Sequence, residues 1–107
     1  MGLSVHITDN SGIFKAAAEE QIKTALEAVG IQAEGYTAQN APVRTGRLRS
    51  SITHSVQGKT AYIGTDVEYA AYVEYGTSRM APRYYLTNAI QSHIEEYVDI
   101  LKAYLQK

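Results

Sequence analysis

The chain has 107 residues, 45% of them hydrophobic and 20% charged, with no cysteine and a formal net charge of -1. Such totals predict one domain, residues 1–107, around a single core; they exclude a disulfide framework, thiolate chemistry and a generally basic nucleic-acid binder. No apolar run approaches the roughly 20 residues a bilayer span requires, so no membrane partner is expected, and MGLSVHITDN lacks the basic start and apolar block of a signal peptide, so export by that route is not expected either.

Leu3, Val5 and Ile7 alternate with Ser4, His6 and Thr8, the period of a half-buried strand with His6 on the wetter side. Asp9 to Gly12 supply turn chemistry, and Asn10 or Ser11 is a candidate N-cap for a helix beginning near Ile13. Phe14, Ala17 or Ala18, Ile22, Ala25, Leu26, Val29, Ala33 and Tyr36 then recur every three or four residues. That stripe continues past Gly30 and Gly35, so the helix is predicted to run to about Asn40, where Pro42 stops it.

APVRTGRLRS, residues 41–50, holds a proline, a glycine and three arginines with little apolar content, and reads as a flexible loop or arm. Arg44, Thr45, Gly46, Arg47, Leu48 and Arg49 form a candidate docking loop, since guanidinium forks suit carboxylates and phosphates alike. Pairing of these arginines with Glu68 or Glu74 is the favoured use, and a buried Glu74 in particular would need such a partner. Ile52, His54 and Val56, a turn at Gln57–Thr60, and a return strand from Ala61 to Thr65 predict a hairpin.

Glu68 to Leu86 then concentrates five of the nine tyrosines. Tyr69, Tyr72 and Val73 share one face of a short helix that Gly76 would end in the left-handed conformation. Pro82 suits the first turn of a second helix, whose stripe of Leu86, Ile90, Ile94, Tyr97 and Leu101 reaches the C-terminus. Tyr69, Tyr72, Glu74, Tyr75, Tyr84 and Tyr85 are the candidate subunit or partner contact, because tyrosine is enriched at interfaces. The whole is α+β: N-terminal strand, long helix, antiparallel hairpin or sheet, short helix and long C-terminal helix.

No catalytic motif emerges. His6, His54 and His93 lie on separate elements without metal-ligand spacing, no nucleotide or nucleophile-elbow pattern occurs, and Glu19-Glu20 and Glu95-Glu96 read as solvated helix faces. Neither enzyme activity, a metal nor a cofactor is expected. The alternative to a contact-making protein is a small nucleic-acid-binding module using the arginines of residues 44–49.

The strings APVRTGRLRSSI, GTDVEYAAYVEYGT and APRYYLTNAI, in this order, resemble the neck proteins of long-tailed bacteriophages, the head-tail joining or tail-completion family found in phages and prophages. The resemblance rests on Ala41 and Pro42; Thr45, Gly46 and Leu48; Tyr69, Ala70, Tyr72, Val73, Glu74, Gly76 and Thr77; and Pro82, Tyr84, Tyr85 and Leu86. Arg83 and Ala71 depart from the family pattern. What it implies is a virion structural subunit of the head-tail interface, assembling in the host cytoplasm into a ring, expected to be six-fold, in the virion neck. Its implied partners are other copies of itself, a head-completion or connector protein, and a tail tube or tail terminator protein, with DNA passing the lumen without specific binding.

Overall fold

The computed structural model describes residues 3–8, 14, 17–42 and 46–105. Chain order is β1 (Leu3–Thr8), α1 (Glu19–Asn40), α2 (Arg47–Ser51), β2 (Thr53–Gln57), β3 (Thr60–Thr65), α3 (Ala70–Tyr75), α4 (Tyr85–Gln91) and α5 (Ile94–Leu105). The protein is α+β, as its patterning predicts.

The three strands form an antiparallel sheet in the order β1-β3-β2. Leu3 pairs with Thr65 and Thr8 with Thr60 on one side of β3; Thr53 pairs with Gly64 and Gln57 with Thr60 on the other. The two-residue turn Gly58-Lys59 closes the hairpin, with Gly58 at φ 59°. Alternation divides the sheet into two faces. Leu3, Val5, Ile7, Ala61, Ile63, His54 and Val56 point inward, whereas Ser4, His6, Thr8, Thr53, Ser55 and Gln57 are exposed. The outward face carries no formal charge unless His6 is protonated. His6 rests edge-on against Tyr62, ring centroids 4.5 Å apart.

Helix α1, about 33 Å long at 1.5 Å per residue, lies across the inner face of the sheet. Ile22, Ala25, Leu26, Val29 and Ala33 are buried there with Leu48, Ile52, Ala61, Ile63, Val67, Leu86 and Leu101. The helix starts at Glu19, so Phe14 and Ala17 precede it instead of belonging to it. The predicted start at Ile13 and the caps at Asn10 or Ser11 lie outside the described residues. At the observed start the Ala18 N–H donates to the Gln21 side chain, 3.3 Å, and Glu19 and Glu20 put negative charge in the first turn. The end at Asn40 is as predicted.

Three expectations need correction. The stretch read as an arm contains α2, whose Leu48 is buried among the core residues; one apolar side chain in five sufficed to dock the turn. Pro82 does not enter a helix. It lies in an extended segment, and α4 begins three residues later at Tyr85, after Tyr84 in the left-handed region at φ 49°, ψ 36°. Nor is the last helix continuous: it is interrupted at Ser92-His93, and both parts, α4 and α5, pack on α1. None of the described helices is long and apolar enough to cross a membrane.

A candidate contact groove at the end of the long helix

The tyrosine segment is built around a carboxylate. Glu74, on α3, is 1% exposed. Its Oε1 accepts the Leu86 N–H at 2.8 Å, and its Oε2 accepts the Thr87 N–H at 3.0 Å and the Thr87 hydroxyl. Both amides belong to the first turn of α4, where N–H groups have no partner within the helix and favour negative charge. The arginine partner expected for Glu74 is therefore replaced by helix-end donors, which satisfy the hydrogen bonding of a buried carboxyl group without bringing in a second charge.

This lock folds the chain between α3 and α4 into a compact return. Gly76 ends α3 at φ 77°, ψ 177°, a positive φ but not the left-handed helical one predicted, and its N–H reaches the Tyr72 carbonyl at 2.8 Å. A Cβ there would stand 2.6 Å from the Met80 carbonyl oxygen and 2.7 Å from the Pro82 nitrogen. Thr77 and Met80 close a tight turn, and the Arg83 and Tyr84 N–H groups return to the Val73 and Glu74 carbonyls, each at 3.0 Å. Tyr85 is pinned in the core with its hydroxyl donating to the Ala70 carbonyl at 3.0 Å; burial pushes that phenol well above its ordinary value.

The arginines divide. The Arg47 fork donates to both oxygens of Glu68, 3.0 and 2.8 Å, and its guanidinium lies over the Tyr69 ring, 5.5 Å from the centroid. Those hydrogen bonds hold the Glu68 carboxyl below its usual range. The pair is exposed, so its worth to stability is small, but it holds the guanidinium over the Tyr69 ring at the surface. Arg49 turns back on α1 and donates to the Gln39 and Ala41 carbonyls, 3.2 and 3.4 Å, serving the helix C-terminus. Arg44 and Thr45 lie outside the described residues.

Between these pieces is an apolar groove of about 520 Å³, bounded by Pro42, Arg47, Leu48, Tyr69, Tyr72, Val73, Met80 and Arg83. It gathers residues from three stretches of sequence, from Pro42 to Arg83. Of the predicted contact residues, Tyr69 and Tyr72 line it, while Tyr75 and Tyr84 are exposed nearby in sequence at 59% and 43%. Tyr85 and Glu74 are interior. Pro42, Val73, Met80 and Arg83 are not among the predicted contact residues; Pro42 and Val73 belong to the motifs that carry the family resemblance, but only folding shows that the four converge. Tyr72, 60% exposed, and Met80, 38% exposed, leave large apolar surface uncovered at the groove's mouth.

A second constellation escaped the sequence reading. His54, on β2, faces α1 between two carboxylates: Nδ1 is 2.7 Å from Glu34 Oε1 and Nε2 is 3.1 Å from Glu27 Oε2. Among the described residues no group of three or more His, Cys, Asp or Glu side chains is placed to hold a metal.

The distinctive surface of this α+β chain is an aromatic groove with Arg47 and Arg83 among its lining residues. The chain belongs to the family described as "Bacteriophage HK97-gp10, putative tail-component", whose model matches residues 8–76, more than half of its length. The match runs from the last residue of β1 to Gly76 and so takes in β2, β3, α1 to α3 and most of the groove. No curated protein and no solved structure gives a significant match. The chain is thus a phage structural component of the tail-component type.

Proposed function

We propose that the protein is a head-tail joining or tail-completion subunit that works without catalysis, assembling as a six-fold ring in the neck between the connector and the tail. The observation that carries this reading is the groove: an apolar, aromatic surface that the subunit leaves open, with Tyr72 exposed at its mouth, although Tyr85 of the same segment is buried in the core. Uncovered tyrosine and methionine at a rigid rim are the usual anchors of a protein contact. The outward sheet face, made of Ser4, His6, Thr8, Thr53, Ser55 and Gln57, is consistent with a lumen that DNA passes without being retained. A head-completion or connector protein and a tail tube or terminator protein are the partners this position implies, with residence in the virion neck after assembly in the host cytoplasm.

The nucleic-acid alternative loses support because Arg47 is engaged with Glu68 and Arg49 with helix carbonyls. The test is complementation: a phage lacking this gene is supplied with the wild-type or the Tyr72→Asp chain, and heads, tails and joined particles are counted by electron microscopy. Wild-type rescue with loss of joining by a folded Tyr72→Asp chain is expected. Normal joining by that variant would remove the groove from the contact.

A further inference from the structure

His54 is the inward histidine of an edge strand, and its two ring nitrogens are both met by carboxylate oxygens, Glu34 on one side and Glu27 on the other. A carboxylate only accepts hydrogen bonds, and a neutral imidazole has one N–H and one lone pair. Two such contacts are both hydrogen bonds only if both nitrogens carry protons. Helix α1 is shaped for this arrangement. Glu27, Gly30 and Glu34 share one face, and at Gly30 a Cβ would lie 2.6 Å from His54 Cδ2, so the ring occupies the space a side chain would take. The ring is largely enclosed, with 18% of the side chain exposed.

We infer that His54 is a proton-operated latch: as imidazolium it ties the edge strand β2 to α1 through Glu27 and Glu34, and loss of one proton to solvent opens one of the two ties. On β3 its neighbour is Ile63, which is uncharged, and among the described residues the ionisable groups that act on it are Glu34 and Glu27. Burial by itself would lower the histidine's affinity for its proton; the bonds to Glu34 and Glu27 outweigh that and leave it raised above 6.5. Because the folded value is raised, the latch's contribution to stability is complete below the unfolded value near 6.5 and fades as pH climbs through the folded one. Strand β2 follows directly on α2, so the latch also anchors the element that brings Arg47 and Leu48 to the groove.

The experiment is a pH series of long-range 1H–15N spectra of the wild-type protein, with the His54 signals assigned by their absence in His54→Gln. Expected are two protonated ring nitrogens at pH 6.5 and a titration midpoint above that of a free histidine, brought down in both Glu27→Gln and Glu34→Gln. Amide exchange of β2, corrected for the intrinsic pH dependence, should accelerate across the same interval while β1 stays unchanged. A ring with a single protonated nitrogen at pH 6.5, or a midpoint that neither glutamine variant moves, would overturn the latch. The ring spectra need only the folded wild type and His54→Gln, so failure of Glu27→Gln or Glu34→Gln to fold leaves the first criterion decisive.

Discussion

The sheet with α1 and the α3–α4 return are held by different means. In the first, a dozen apolar side chains share the load: Ile22, Ala25, Leu26, Val29 and Ile63 are each buried among several others, and no single contact defines the arrangement. In the second, one carboxylate takes two amides and a hydroxyl, two residues sit at positive φ, and Tyr72 and Met80 remain uncovered beside them. Distributed packing tolerates small insults at any one point. A fold centred on Glu74 does not, yet it can hold an open aromatic groove rigid without spending those aromatics on its own core.

Glu74→Ala should therefore cost the most. It strands donors that a buried carboxylate now satisfies, and a loss of about 3–4 kcal/mol in urea unfolding is expected; a loss below that of an ordinary surface substitution would erase the contrast. Gly76→Ala comes next at about 2–3 kcal/mol, since the new Cβ meets the Met80 carbonyl and the Pro82 nitrogen in a conformation alanine avoids. On the other side, Gly30→Ala should cost about 1–2 kcal/mol by pushing the His54 ring from α1, and the thermal melt should lose part of its pH dependence. Tyr84→Gly is expected to stabilise, by up to about 1 kcal/mol, because the left-handed backbone there penalises tyrosine but not glycine. Tyr72→Ala should move stability least, within about 0.5 kcal/mol, while lowering joined-particle yield; a large loss of stability would mean the ring serves the fold after all.

Periodic elements were legible in the sequence. The alternation of Leu3 to Thr8, the hairpin about Gly58 and the stripe from Ile22 to Tyr36 each follow from a local repeat that burial then enforces. What could not be read depends on who meets whom. Leu48 looks like an isolated apolar residue among arginines until the core reaches it, so α2 was taken for a loop. Pro82 permits a helix start, but the amides that Glu74 binds are those of Leu86 and Thr87, which sets the start at Tyr85. Glu74 itself was expected to need a cation because helix-end donors are invisible until two helices are placed end to side. Aromatic density marks Tyr69 and Tyr72, which line the groove, and equally Tyr85, which is interior, so composition alone does not separate surface from core here. His54 left a hint that went unused: an inward histidine on an alternating strand must find polar company, and Glu27 and Glu34 offered it at helical spacing.

The interruption at Ser92-His93 divides the C-terminal region into two segments with separate duties. Segment α4 supplies the amides that hold Glu74, and α5 covers α1 with Tyr97 and Leu101. The two segments remain tied across the joint, because the Tyr97 hydroxyl of α5 donates to the Ala89 carbonyl of α4 at 2.6 Å. Substitutions that displace α5 are therefore expected to reach the Leu86 and Thr87 amides that hold Glu74.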